Sequence, residues 1–169
     1  MNNTKLAVTL LTVMIGAGTC LAQTETPRQA EAPKAYQLDF VLKELEDGKV
    51  INSRNYSLMV TAVGAGGSIR SGDKVSVMVK AGAQPEYTYT DVGVNIDCGG
   101  VQEIQGKLTL NVKADISTAQ PETARPLIRT TRWSSNVIVP LRKATVLFTS
   151  DDTSSKRRTQ LELTAAPVN

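Results

Sequence analysis

Histidine is absent from the 169-residue chain. That removes the commonest general base and metal ligand. It also excludes Ser/His/Asp and Cys/His nucleophile pairs. Cysteine is nearly absent: Cys20 and Cys98 are the only two, so a Cys/His zinc site cannot be assembled. Aromatic residues are scarce, with one Trp, four Tyr and two Phe, which argues against the base-stacking platforms of single-strand nucleic-acid binders. An excess of charge is missing too. Nineteen basic residues face 16 acidic ones, a formal charge of +3, too small to imply a nucleic-acid or membrane-surface partner. After residue 22, no stretch approaches the roughly 20 apolar residues of a membrane-spanning helix.

The first 22 residues read as a secretory signal peptide. Lys5 is their only charge, Leu6–Ile15 is a mostly apolar run, and Cys20 and Ala22 place small residues at −3 and −1. Cleavage after Ala22 leaves Gln23 first and a formal charge of +2, since only Lys5 is lost. An uncleaved anchor is disfavoured because the apolar run is half the length a span needs. A second reading makes Cys20 the lipidated residue of a lipoprotein box, Ala17-Gly18-Thr19-Cys20. Residues 23–35, with Pro27 and Pro33 among Thr, Gln and Glu, read as a flexible tether. The segment 36–166 is expected to be a single β-domain in a periplasmic or secreted setting. With Cys98 alone after cleavage, no internal disulfide can form, so stability must come from burial and strand pairing.

Alternation of apolar and polar residues, the period of a half-buried strand, runs through most of this domain. Tyr36, Leu38, Phe40 and Leu42 share one face, and Asp47-Gly48 suits a two-residue hairpin turn before a return strand from Lys49 to Val63. Glu44 and Glu46 are placed to pair with Lys49 and Arg54 across that turn. Gly64-Ala65-Gly66-Gly67 reads as a bend. A phosphate loop would need a following helix or a Gly-Lys-Ser/Thr pattern. Ser71-Gly72-Asp73 reads as a turn before Val75, Val77 and Val79. The clearest pair of strands comes next. In the first, Val92, Val94, Ile96 and Cys98 share a face. In the second, Leu108, Leu110, Val112, Ala114 and Ile116 do. Gly99-Gly100 is expected to break the first, with Val101–Gln105 a short continuation, and Gly106 to turn. Ser117–Arg125 reads as a loop, Leu127–Val139 as a strand, Pro140–Lys143 as a turn, Thr145–Phe148 as a strand and Asp151–Ser155 as a turn. Leu161 and Leu163 point inward from the last strand, with Val168-Asn169 as a free end. About eight strands with frequent turns and no helix predict an all-β domain, either an antiparallel β-sandwich or a partly open barrel.

Few residues carry candidate chemistry. Asp91 and Asp97 lie six apart on one strand, roughly 20 Å, too far for paired carboxylate catalysis. Asp151, Asp152, Thr153 and Ser154 offer oxygen ligands for calcium but lack the spacing of a calcium loop. Lys156-Arg157-Arg158 reads as a solvated strand start. Trp133, beside Arg129 and Arg132, is a core residue or a carbohydrate-stacking platform. Cys98 is a small core residue or a free thiol. Asn55-Tyr56-Ser57 fits a glycosylation acceptor but lies mid-strand. No catalytic, cofactor or metal site is expected.

The order of features resembles the C-terminal β-domain of the secretins, the outer-membrane ring proteins of bacterial type II and III secretion and pilus systems. The residues that carry it are Gly72-Asp73, Tyr89-Thr90-Asp91-Val92-Gly93-Val94-Asn95-Ile96, Leu108-Thr109-Leu110-Asn111-Val112, Ile116-Ser117, Pro126-Leu127-Ile128-Arg129 and Asn136-Val137-Ile138-Val139. They fall within residues 70–140. The chain departs from the secretin pattern near its end. Pro140-Leu141-Arg142-Lys143 and Thr149-Ser150-Asp151-Asp152 replace a Gly turn and a Gly-Gly-Leu ending. No long membrane-lip hairpin is evident, and the Tyr36–Val63 hairpin has no named counterpart. The resemblance implies a β-topology and an exported bacterial setting, with outer-membrane association in view. The expected function is non-enzymatic: protein–protein contact or self-association through β-edges. The alternative is a ligand- or glycan-binding sandwich centred on Trp133, Asp151 and Asp152.

Overall fold

The computed structural model describes residues 33–80, 84, 86–120, 126–153 and 155–168. The expected signal peptide, the lipoprotein box and all of the tether before Pro33 lie outside the described residues. Eight strands follow one another: β1 Ala35–Glu46, β2 Lys49–Thr61, β3 Gly67–Lys80, β4 Glu86–Ile104, β5 Lys107–Gln120, β6 Leu127–Pro140, β7 Thr145–Asp151 and β8 Arg157–Val168. They form two antiparallel four-stranded sheets, ordered β2-β1-β8-β7 and β3-β4-β5-β6. The sandwich expectation holds, and neither sheet closes into a barrel.

Alternation decides which way each strand faces. Tyr36, Leu38, Phe40 and Leu42 of β1 are buried, as are Leu161, Leu163 and Ala165 of β8. They meet Val94, Ile96 and Cys98 of β4 and Leu108, Leu110, Val112, Ala114 and Ile116 of β5 in one apolar cluster. Each fully buried Leu or Val stabilises the fold by about 1.5–3 kcal/mol relative to exposure. No polar or charged residue is buried among the described residues. Most outward residues are polar, among them Gln37, Asp39 and Lys43 on one sheet and Asn95, Asp97, Lys113 and Asp115 on the other, with Met59, Val146, Tyr87, Tyr89 and Ile138 exposed among them.

Asp47 and Gly48 take φ of 49° and 78°, and Gln105 and Gly106 take 52° and 72°. Both hairpins therefore close with the mirror-image turn that matches strand twist. The expected cross-turn pairing is half realised: Arg54 binds Glu44 at 2.8 Å, while Glu46 reaches Arg157 on β8.

Several local expectations are corrected. Ser71-Gly72-Asp73 is no turn but lies inside β3, where Gly72 stands opposite Gly93. A Cβ on Gly93 would sit 2.1 Å from the Ser71 carbonyl oxygen and 2.4 Å from the Gly72 Cα, so the two strands can pair here only because both residues lack one. Gly99-Gly100 interrupts the ladder, as expected, with a register shift against β5, and the strand continues beyond it to Ile104. Ser117–Gln120 is strand, because β6 continues to pair with it. Asp151 is the last residue of β7 and not part of the turn after it. Val168 is not a free end but pairs with Ala35.

One polar contact ties the sheets at the end where β1 begins. The Tyr36 hydroxyl donates to Glu103 Oε2 at 2.5 Å, and Lys34 Nζ reaches the same oxygen at 2.9 Å. Burial, then the bond to Glu103, pushes the Tyr36 hydroxyl up to about 12. The Tyr36 hydroxyl and the Lys34 ammonium hold the Glu103 carboxyl below its usual range.

The strand pairing makes a first prediction. Gly93→Ala should destabilise the domain by about 1–3 kcal/mol, whereas Gly99→Ala, whose Cβ would meet nothing within 4 Å, should fall within about 0.5 kcal/mol of the parent. Urea unfolding of both variants checks this, and equal effects would refute the close-approach argument. The contact between sheets makes a second. A depressed carboxyl contributes stability above its unfolded pKa, about 4.3, and loses it as pH falls through the folded value. A raised phenol contributes fully below about 10 and loses its share as pH climbs to about 12. Unfolding midpoints against pH should therefore fall on both limbs. Tyr36→Phe should flatten the alkaline limb and Glu103→Gln the acid one. An alkaline limb unaltered in Tyr36→Phe would show that Tyr36 is not its source.

Candidate functional site

The polar chemistry gathers at the other end of the sandwich, past Leu42, Ile116 and Leu161. There β8 begins with Arg157 and Arg158, and the register sets them against Glu46 and Asp151. Arg158 Nε donates to Asp151 Oδ1 at 2.6 Å. This bond holds the Asp151 carboxyl below its usual range and raises the guanidinium in turn. Arg157 reaches Glu46 at 3.4 Å, and Lys156 reaches Asp47 at 3.6 Å. These pairs are largely exposed, so each contributes little to stability. Asp152 is more enclosed. Arg129 of β6 donates to it across the gap between sheets, and Ser155 Oγ donates to its second oxygen at 2.7 Å. A cleft of about 560 Å³ opens here between the two sheets, bordered by Thr118, Arg129, Thr131, Asp151, Asp152 and Thr159 among others.

Both carboxylates proposed from sequence thus reach one cleft, each bonded to an arginine. Among the described residues no three His, Cys, Asp or Glu side chains cluster as a metal site.

Trp133 does not join them. It stands opposite Ala114 on β6 and packs against the core. Its ring stacks on Phe148 of β7, with centroids 5.3 Å apart and planes at 28°, and so joins the sheets at their β6/β7 side. The residue also borders a separate shallow concavity of about 410 Å³ on the outer face, with Asp97, Lys113, Asp115 and Arg132. The two carboxylates there are already matched: Arg132 binds Asp115 at 2.9 Å and Arg70 binds Asp97 at 2.6 Å.

Cys98 is free and buried. Burial, then the nearby Asp97 charge, pushes its thiol up to about 12. The thiolate required for reactivity is therefore scarce at neutral pH.

Sequence reasoning missed the place where the second sheet divides. The β4–β5 ladder ends at Val94↔Ile116, and the Gly93 N–H bonds the Ser117 hydroxyl at 3.0 Å instead of a backbone carbonyl. Beyond that point β3 and β4 run on as one pair and β5 and β6 as another. A concavity of about 510 Å³ lies between these limbs, walled in part by Tyr56. No local motif marks such a division, because it is a property of ladders and not of either strand.

No protein-family model matches the sequence, and no curated protein matches it. Solved structures do resemble the fold. InvG, the secretin of the Salmonella SPI-1 type III secretion injectisome, aligns with a TM-score of 0.50 at 9% identity, over 80% of this chain and 63% of that one. The type II secretion secretin GspD of E. coli K12 aligns with a TM-score of 0.51 at 10% identity, over 81% of this chain and 51% of that one. A chain of the Klebsiella pneumoniae type II secretion outer-membrane complex of PulD, PulS and the PulC HR domain gives 0.51 at 8% identity, over 80% and 39%. This chain therefore spans less than two thirds of the length of each. The motif matches stop at residues 70–140, whereas the structural likeness takes in four fifths of the chain. What the two share is the fold, and the chain carries a secretin-like β-domain.

Proposed function

We propose that this protein is a non-enzymatic component of a bacterial envelope that works by protein–protein contact, associating with itself through the edges of its sheets. The observation that carries the reading is the arrangement of those edges. In the second sheet β3 and β6 stand at opposite sides, and each is 14 residues long. Three successive antiparallel pairings leave them antiparallel to each other. A second copy placed alongside can therefore set its β3 against β6 and continue the sheet. The first sheet ends in β2 and β7 in the same way. Such a contact is head-to-tail, which generates rings when the rotation closes. Unpaired strand edges are the usual route to this kind of addition.

The neighbours support the setting. InvG is described in a basal body with PrgH and PrgK, and PulD in a complex with PulS and PulC. Export through a Sec-type signal peptide completes the reading. The two outer faces carry charged and amide side chains with single exposed apolar residues such as Met59, Val146, Tyr89 and Ile138 set among them, not the continuous apolar band of a lipid-facing barrel wall, which favours protein contact over lipid contact for those faces. The ligand-binding alternative keeps the cleft at Asp151 and Asp152 but without Trp133 in it.

Size-exclusion chromatography with light scattering on the exported protein checks self-association. Species at multiples of the chain mass, growing with concentration, are expected. A strict monomer at high concentration sinks the proposal.

A further inference from the structure

The split in the second sheet leaves two strand edges facing one another. On β4 the stretch from Tyr87 to Val92 pairs with β3 on one side and, among the described residues, with nothing on the other. On β5 the stretch Ser117–Gln120 pairs with β6 and likewise has an open side. Backbone N–H and C=O groups along such an edge are obligatory hydrogen-bonding groups. An extended chain laid between them would bond on both sides, unlike a strand added at an outer edge. The concavity between the limbs supplies the room.

We propose that this slot accepts one extended segment of a partner polypeptide, added as a strand between β4 and β5. The folded domain of a second copy cannot supply it, because each of the eight strands is already paired on at least one side. The occupant is therefore a segment that is not itself part of a sheet. The walls give its side-chain chemistry. Val92 and Thr118 lie on the core-facing side, where small or β-branched side chains fit. Two charges border the slot: Arg54, already paired with Glu44 at 2.8 Å, and Asp73, which has no ion-pair partner among the described residues, so a basic side chain on the segment complements Asp73. The slot is distinct from the outer edges invoked for self-association, and each proposal stands or falls by its own measurement.

Backbone amide NMR on the exported chain tests this with a blocked hexapeptide, acetyl-Thr-Val-Lys-Val-Thr-Val-amide, as probe. Saturable shifts are expected at Asp91–Gly93 and Ser117–Ala119. They should vanish with a peptide N-methylated at alternate residues and weaken severalfold in Asp73→Asn. Thr118→Trp, which fills the slot, should abolish them. If that variant does not fold, Asp73→Asn together with the N-methylated peptide still decides. Shifts confined to β2, β7 or the outer sides of β3 and β6 would overturn the proposal, as would no saturable change at millimolar peptide. So would shifts at the slot that track protein concentration without peptide, since the chain itself would then be the occupant.

Discussion

A single layer of interdigitated apolar side chains between two sheets is what everything else in this molecule depends on. Cys98 is free and buried, so no disulfide joins the sheets among the described residues. No metal cluster is present among the described residues to staple the sheets. Tyr36, Leu38, Phe40 and Leu42 must meet Leu108, Leu110 and Val112, and only one register of each strand allows it. A slip by one residue would turn Gln37, Asp39 and Lys43 inward. The largely polar outer faces go with the same alternation, which sends every second residue to solvent. So does the placement of candidate function: with both faces committed to solvent or core, the edges and the ends of the sandwich are what remains.

The alternating strands were legible because their signal is local. Val94, Ile96 and Cys98, and Leu108 through Ile116, display their buried faces in the sequence itself. Asp47-Gly48 announced its turn through the φ it tolerates. Other features were hidden because their causes are distant. Gly72 looked like a turn residue, and only its position opposite Gly93 reveals why it is glycine. Ser117–Gln120 looked like loop because its polar composition says nothing of β6, which keeps it extended. Glu103 gave no hint that Tyr36 and Lys34 would converge on it. Trp133, Asp151 and Asp152 were grouped on chemistry alone, and the fold packs the first against the core and sends the other two into an inter-sheet cleft.

The secretin-like motifs behave in the same way. Asp91-Val92-Gly93-Val94 holds the residue at which β4 leaves β5, and Leu108-Thr109-Leu110 holds the centre of the core. These stretches therefore record demands of the architecture. That fits a likeness of fold at about one tenth identity, and it explains why the motifs carry no reactive group.

The order of strands also sets a timetable. The second sheet is a meander, β3-β4-β5-β6, in which every pairing joins neighbours in sequence. The first sheet is completed only when β8 returns to lie beside β1, pairing Ala35 with Val168 at opposite ends of the domain. Pairings of such long separation form slowly. A chain made from its N-terminus must leave the edge of β1 that faces away from β2 unpaired until its last strand arrives. The domain is thus most vulnerable to misassembly while that edge stands open. An escort that shields β1 until β8 is available would be of more use to it than one that acts on the finished sandwich.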